Sequence, residues 1–356
     1  MSHCRSLLIS LLALFALWLP AVAQPVDGGH ARVELVSERA LAVPGETLWL
    51  GLSFEIDPNW HIYWVNAGDA GIPPEITWRE SGGLSDEAIG DFKWPLPELL
   101  PIVPNEIMDY GYSNQIVLPF MVTLPDDAEG PLLFEGVADY LICEDICIPE
   151  SVDIRLMQSV GEAQLPDQYG SDLIQASLAR VPPAFNGEAA LSAAGGAWTL
   201  SLAGEEIAGL TGEARFFPYN HEIKHAADQP ASFGTDGLQL RLTPDTDGDP
   251  LPDAISGVVK IGDAAFEISA TAGSVLPATS GLSGAAVQTT GGGVGNLPLL
   301  MAFALIGGLI LNLMPCVLPV LSIKAMGLVG ASAEGNTAEV RAHGLWYTAG
   351  VLVCFA

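Results

Sequence analysis

Short apolar runs separated by turn-forming residues are the feature that most constrains how residues 31–158 can fold. Seven such runs recur there: ARVELVSE, TLWLGLSFEI, WHIYWV, EITW, QIVLPFMVTL, LLFEGVADYLI and SVDIRL. Turn formers such as VPGE, DPN and LPDDAEGP lie between them. Runs of this length and spacing are typical of β-strands. The pattern therefore predicts a mainly β chain that begins with an antiparallel sandwich.

The composition changes several times after this first segment. Residues 159–186 look like a linker with an amphipathic helix around DQYGSDLIQASLARV, ended by Pro182 and Pro183. Residues 187–272 return to short β-like runs and suggest a second, smaller sandwich. Residues 273–296 contain no charge and are rich in Gly, Ser, Thr and Ala, which is typical of a flexible tether.

Both ends of the sequence point to export and a membrane. Residues 1–23 have a basic start, an apolar core and an AVA cleavage site, which is the layout of a signal peptide; a retained anchor is the alternative. Residues 297–323 contain no charged side chain, and the run is long enough to cross a bilayer. A second uncharged run begins at residue 344 and continues to residue 356. We expect residues 297–356 to begin a multi-span α-helical membrane domain of a longer protein.

Charge supports the same topology. The formal net charge is −29, and residues 24–296 hold ten of the 13 basic and 40 of the 42 acidic residues. An acidic surface argues against nucleic-acid binding, which needs a basic footprint. The short loop after residue 323 carries Lys324 and Arg341, which favour the cytoplasmic side. The acidic part should therefore lie outside, where disulfides persist.

Cys143 and Cys147 are separated by Glu144, Asp145 and Ile146. Residues four apart in a strand lie about 13 Å apart, too far for a disulfide, so either the thiols never pair or the chain turns back. A bridge over so short a loop removes little unfolded-chain entropy, which weakens its value as a structural staple without excluding it. The two carboxylates would disfavour a thiolate, and this favours an electron donor over an oxidant.

Cys316 lies in LNLMPCVLPVLSIK, between Pro315 and Pro319, inside the first membrane run. Prolines on both sides interrupt a helix, and such backbone is tolerated in a membrane only where protein or a water-filled cavity surrounds it. A kinked helix with a passive buried cysteine is the alternative interpretation.

These segments together resemble a known family. LNLMPCVLPVLSIK resembles the start of the membrane domain of the DsbD family of thiol:disulfide interchange proteins, and NWHIYWVNAGDAGIPPEITW with DYLICEDICIPE resembles the N-terminal domain of its ScsB-like branch. The resemblance implies an immunoglobulin-like periplasmic domain on a multi-pass protein of the bacterial inner membrane. It implies a reductase that relays electrons from cytoplasmic thioredoxin to periplasmic thioredoxin-like disulfide proteins, such as disulfide isomerases, cytochrome c maturation proteins or copper-tolerance proteins.

The resemblance also implies roles for single residues. Cys143 and Cys147 match the N-terminal redox pair, with Cys147 linked to partners and Cys143 resolving, and Cys316 matches the first membrane cysteine. Tyr110 and Tyr112 would shield the redox pair, as part of a cap. The three-residue spacing is shorter than in DsbD itself, and the second membrane cysteine and thioredoxin-like domain of the family would lie beyond residue 356.

Other candidate sites are weak. No phosphate loop or dinucleotide fingerprint occurs, so no cofactor is expected. His221 and His225 are four apart in HEIKH, but the surrounding sequence looks like a strand–turn boundary and not like the helix that a zinc-protease HExxH motif needs. Copper binding by these histidines or by the thiols, or a copper-handling or non-catalytic binding ectodomain whose disulfide is only structural, remains the alternative function.

Overall fold

The computed structural model describes residues 25–194, 196–246 and 250–276, all within the unit Met1–Val287. The predicted signal peptide 1–23, most of the tether 273–296, and the membrane segment 297–356 with Cys316 lie outside the described residues. No helix among the described residues is long and apolar enough to cross a membrane. The predicted mainly β fold is confirmed for this part of the chain.

The first β module comprises twelve strands and one helix. They are β1 (Val26–Asp27), β2 (Ala31–Ser37), β3 (Arg39–Ala42), β4 (Thr47–Ile56), β5 (His61–Gly68), β6 (Glu75–Ser81), β7 (Glu98–Val103), β8 (Ile107–Ser113), β9 (Gln115–Thr123), β10 (Leu132–Cys143), β11 (Cys147–Val160), β12 (Leu165–Pro166) and α1 (Gln168–Leu178), with a 3₁₀ helix at Asp86–Ala88. One sheet has the order β1-β2-β4-β9, and the other has the order β12-β3-β11-β10-β5-β8-β7, with β6 on β10.

Alternating burial along these strands explains why the two sheets pack face to face. In β10, buried and half-buried residues alternate from Leu132 to Ile142, as expected for a strand with one face in the core. Side chains of both sheets, including Leu50, Phe54 and Phe134, form one hydrophobic core. The sequence pattern thus correctly predicts a sandwich here.

Helix α1 covers the outside of the four-stranded sheet. Its Ile174 is fully buried against Val36 and Val117. Asp167 caps its N-terminus by accepting a hydrogen bond from the Gly170 amide at 3.1 Å. The predicted helix around residues 167–181 is therefore confirmed.

The second β module is one continuous sheet. Its strands are β13 (Glu188–Ala194), β14 (Ala197–Ala203), β15 (Ala214–Pro218), β16 (Ala231–Phe233), β17 (Gly237–Leu242), β18 (Ala254–Ile261) and β19 (Ala264–Ala272), with a 3₁₀ helix at Glu205–Ile207. The order is β15-β18-β19-β13-β14-β17-β16. We expected two packed sheets here, but the parallel pairing of β13 with β19 joins all seven strands. The sheet curls until β15 contacts β17, so that it encloses its own core.

Strand β5 has a different neighbour on each of its two faces. Trp64 packs against Phe217 and Tyr219 of the second module, and the Asn66 amide donates to the carbonyls of Pro218 and Asn220 at 2.8 and 3.0 Å. His61 and Tyr63 alternate with these residues and point to the opposite face. The second module is therefore fixed to the strand that carries the site described next.

Candidate functional site: the Cys143–Cys147 turn

The chain turns back between the two cysteines, and they form a disulfide. Strands β10 and β11 are an antiparallel hairpin whose last register pair is Cys143 with Cys147, with Cα atoms 4.2 Å apart. Only Glu144, Asp145 and Ile146 form the loop. We call residues 143–147 the cysteine turn. Its geometry answers the spacing problem, because a hairpin brings together residues that an extended strand would keep apart.

The two sulfurs differ in access to solvent. Cys143 is 2% exposed and packs with Tyr63 and Ala67, whereas Cys147 is exposed together with the three loop residues. An incoming thiolate can therefore approach the Cys147 sulfur and is blocked from that of Cys143. The disulfide has one accessible and one protected end.

Tyr63 contacts both sulfurs. Its hydroxyl donates to Cys143 Sγ at 2.8 Å and lies 3.5 Å from Cys147 Sγ. Burial, and secondarily the Asp109 charge, raises the pKa of Tyr63, so the phenol stays protonated at neutral pH. Tyr63 is thus a permanent hydrogen-bond donor to the protected sulfur.

His61 stands beside the same sulfur. It is the register partner of Cys143 across β5 and β10, and its ring meets that of Tyr63 edge-on at 5.4 Å. The side chain is 6% exposed, and Nε2 is buried without a hydrogen-bond partner among the residues that the structure describes. Burial lowers the pKa of His61, so the imidazole is neutral at neutral pH.

A loop at residues 69–74, which we call the covering loop, lies over the Tyr63 ring. Gly71 has φ +111°, and a Cβ at this position would fall 2.3 Å from Tyr63 Cε1, so only glycine fits. The loop is held by two carboxylates: Asp109 Oδ1 accepts from the Ala70 amide at 3.0 Å and Asp69 Oδ2 from the Met108 amide at 2.7 Å. Burial raises the pKa of Asp109 to about 6; the Ala70 amide opposes this rise and the Asp69 charge adds to it.

Comparison with known proteins agrees with this geometry. Residues 32–159 match the family model described as "Thiol:disulfide interchange protein DsbD, N-terminal". The first β module is a DsbD N-terminal domain. None of the curated proteins matches the chain significantly.

Among solved structures, the N-terminal periplasmic domain of ScsB from Proteus mirabilis is similar in fold to this chain. The match has 21% identity and a TM-score of 0.54, and it covers 70% of this chain and 97% of that domain. Titin domains z1z2 in complex with telethonin cover similar shares, 69% and 96%, but with 13% identity and a TM-score of 0.17 they carry no weight. The ScsB likeness extends over both β modules, beyond the DsbD N-terminal domain itself.

The tyrosine that contacts the sulfurs was not the predicted one. Tyr110 and Tyr112 were expected to shield the redox pair, but they lie in a regular strand, β8, inside the core of the DsbD N-terminal domain. The Tyr112 hydroxyl donates to the Pro95 carbonyl at 2.7 Å, and that of Tyr110 lies 3.1 Å from His225 Nδ1. Tyr63 and His61 lie in an apolar, aromatic run that does not set them apart from core residues; the available signal is their i, i+2 spacing just before the NAGDAG turn.

The predicted copper-binding histidines have other neighbours in the described structure. His221 Nδ1 lies 3.2 Å from His225 Nε2, and His225 is 2% exposed. Among the described residues, no group of three or more potential ligands is placed to hold a metal ion. The side chains that surround the disulfide of the DsbD N-terminal domain can instead cover the Cys143 sulfur and hydrogen-bond to it.

Proposed function

We propose that this chain is the N-terminal part of a membrane-anchored protein-disulfide reductase. In this proposal, electrons from cytoplasmic thioredoxin pass through membrane cysteines, of which Cys316 is the first, to the Cys143–Cys147 pair in the periplasm. The pair then reduces thioredoxin-like partners, such as a disulfide isomerase, a cytochrome c maturation protein or a copper-tolerance protein. Membership of the first module in the DsbD N-terminal family and the membrane-length run at residues 297–323 support this assignment.

One observation carries the chemistry: the disulfide has an exposed sulfur and a buried sulfur that is already hydrogen-bonded. A donor thiolate attacks Cys147 Sγ, the 143–147 bond breaks, and Cys143 leaves as a thiolate that accepts the Tyr63 hydrogen bond. A second donor thiol then attacks the donor's own sulfur in this mixed disulfide and releases Cys147. The donor is oxidised to a disulfide, and the domain gains two electrons.

The reduced pair works in the opposite direction on its substrate. The exposed Cys147 thiolate attacks a partner disulfide and forms a mixed disulfide, and one partner sulfur leaves as a thiolate. Cys143 then attacks Cys147 Sγ, which restores the 143–147 bond and releases the partner's second thiolate. Cys147 is therefore the residue that links to partners, and Cys143 is the resolving residue.

Single-cysteine variants test this order of steps. In the full chain with Cys4, Cys316 and Cys354 replaced by serine, Cys143→Ala should accumulate a mixed disulfide with a purified thioredoxin-like protein, detected as a mass increase on non-reducing gels. The matched variant Cys147→Ala should form little. A structural staple predicts no adduct with either variant and a 143–147 bond that resists a reducing dithiol until the protein unfolds; that result would refute the proposal.

The acidic loop bears on the direction of electron flow. Glu144 and Asp145 are exposed beside the sulfurs, and their charges disfavour a thiolate, so they should make the reduced pair a better donor. Replacing both with Gln and Asn should raise the reduction potential of the pair, measured against a glutathione series. An unchanged or lower potential would contradict a donor role for this loop.

A further inference from the structure

The two most exposed large hydrophobic side chains in the described part of the chain lie in the cysteine turn and in the covering loop. Ile146 is 66% exposed and directly precedes Cys147. Ile72 is 62% exposed and follows Gly71, which lies against the Tyr63 ring, and the Tyr63 hydroxyl touches Cys143 Sγ. One isoleucine therefore belongs to the cysteine turn and the other to the covering loop.

Neither isoleucine is explained by the fold. Single exposed apolar residues are common on protein surfaces. A β-branched residue in a three-residue turn is nevertheless unusual, because turns favour Gly, Asn, Asp and Ser. Neither side chain contributes to the described hydrophobic cores. Their position, one beside Cys147 in the cysteine turn and the other in the loop over the Tyr63 ring, points to burial against another molecule.

The charges around the cysteine turn indicate what kind of molecule covers the two isoleucines. Glu144 and Asp145 are exposed next to Ile146 and form no ion pair with the described residues. A second copy of this chain would bring an identical acidic turn and a net charge of −29 to the contact. Like charges in an interface are unfavourable, whereas a cationic partner would gain from these carboxylates.

We propose that Ile72 and Ile146, with Glu144 and Asp145, form the docking surface for a thioredoxin-like protein whose reactive cysteine is flanked by an apolar side chain and by Lys or Arg. This rests on the proposed function. The two isoleucines pack against the apolar side chain that flanks the partner's cysteine, and the two carboxylates form ion pairs with its Lys or Arg. The surface thereby selects which disulfides reach Cys147.

Four short peptides can test this recognition. Each carries one cysteine as a mixed disulfide with thionitrobenzoate, flanked by Leu or Ser on one side and by Arg or Glu on the other. The reduced full chain, with Cys4, Cys316 and Cys354 replaced by serine, donates two electrons: Cys147 attacks the peptide sulfur, thionitrobenzoate leaves and is read by absorbance, and Cys143 releases the peptide thiol.

The Leu/Arg peptide should react fastest and the Ser/Glu peptide slowest. Ile72→Ser/Ile146→Ser should slow the Leu peptides about tenfold and leave the Ser peptides nearly unchanged, since only the former gain from apolar burial. Glu144→Gln/Asp145→Asn should remove most of the preference for Arg, and added salt should do the same to the unmodified chain. Equal losses for all four peptides would overturn the proposal.

Two controls distinguish a failure of the docking surface from a failure of the proposed function. Leu165→Ser removes another exposed hydrophobic residue, 56% exposed and outside the cysteine turn and covering loop, and should change no rate. Free dithionitrobenzoate has no flanking residues and should oxidise the unmodified pair, Ile72→Ser/Ile146→Ser and Leu165→Ser equally fast. If it reacts but the peptides are not discriminated, the docking surface is refuted while the exchange chemistry stands. If Cys147 reacts with neither, the proposed function itself fails.

A dimer of the native chain that Ile72→Ser/Ile146→Ser dissociates in sedimentation would show a self-interface and also overturn the proposal.

Discussion

Two buried histidines of this chain each lie edge-on against a buried tyrosine, yet their hydrogen bonding differs. His61 meets Tyr63 at 5.4 Å beside the disulfide, and His225 meets Tyr110 at 5.1 Å where the two β modules touch. Both nitrogens of His225 have neighbours within hydrogen-bond distance, namely the Tyr110 hydroxyl and His221. His61 Nε2 has none.

This difference separates a structural from a functional cluster. A buried polar group that is fully paired stabilises the packing around it, whereas one left unpaired costs free energy and calls for another explanation. At His225 the pairing joins two modules. At His61 the spare nitrogen lies opposite a cysteine that must gain and lose a proton during exchange.

Among the measurements that test this contrast between His61 and His225, we expect the largest effect in the pH dependence of the unfolding free energy. The pKa of His225 is lowered to about 4. Burial is the main cause; the His221 and Arg215 charges also lower the pKa, whereas Asp69 and Asp245 raise it. Because the unfolded histidine binds a proton at higher pH, stability is lost as pH falls from about 6.5 to about 4. Relative to His225→Leu, the native fragment 25–276 should lose about 3 kcal/mol over this range, measured by urea unfolding with tryptophan fluorescence.

Asp109 provides a control of opposite sign. Its pKa is raised to about 6, so the folded state holds a proton that the unfolded state has released, and stability rises as pH falls from about 6 to 3.8. Relative to Asp109→Asn, the native fragment should gain stability on acidification over this range. The same slope in both variants would show that these two groups do not govern the response.

A matched pair of substitutions at neutral pH should give the next largest effect. His225→Leu leaves the Tyr110 hydroxyl without its histidine partner and should cost about 2 kcal/mol of unfolding free energy. His61→Leu removes a buried nitrogen that has no hydrogen-bond partner among the described residues, so it should raise the unfolding free energy by about 1 kcal/mol. Equal losses in urea unfolding of the two variants would remove the distinction between the clusters.

Tyr63→Phe probes the functional cluster alone. Without the hydroxyl, the Cys143 thiolate loses a charge-assisted hydrogen bond, and reduction of the disulfide by a dithiol should slow about tenfold. Tyr140→Phe is the control, because its hydroxyl donates to Glu150 Oε2 at 2.6 Å and does not touch sulfur. Stopped-flow tryptophan fluorescence follows both reactions; a similar slowing in the control would indicate a general structural effect.

The smallest expected effect belongs to the spare nitrogen of His61. Cross-strand partners hold their Cβ atoms about 5 Å apart, so we expect the neutral imidazole of His61 to accept the Cys143 thiol proton in the reduced pair. His61→Leu should slow the release of a partner from Cys147 about threefold at pH 7 and leave it unchanged at pH 10, where thiols ionise without a base. A rate loss that is independent of pH would assign His61 to packing only.

The sequence allowed the elements to be predicted but not which side chains meet. Alternation and turn formers located the strands around Cys143 and Cys147, and the two prolines after residue 181 marked the end of α1. The choice between Tyr63 and Tyr110 depended on the register of β5 against β8 and β10, and a shift of one residue exchanges the faces of a strand. The contact of Asn66 with Pro218 joins residues 152 apart in the chain, which no local pattern encodes.

The position of the cysteines at the tip of a long ribbon has a mechanical consequence. Eleven register pairs hold β10 to β11 before the sulfurs are reached, so the ribbon does not depend on the covalent link at its end. Opening that link frees only a three-residue loop, and the rest of the domain keeps its shape in either oxidation state. The domain can therefore be reduced and oxidised repeatedly with little structural reorganisation and without exposing its hydrophobic core.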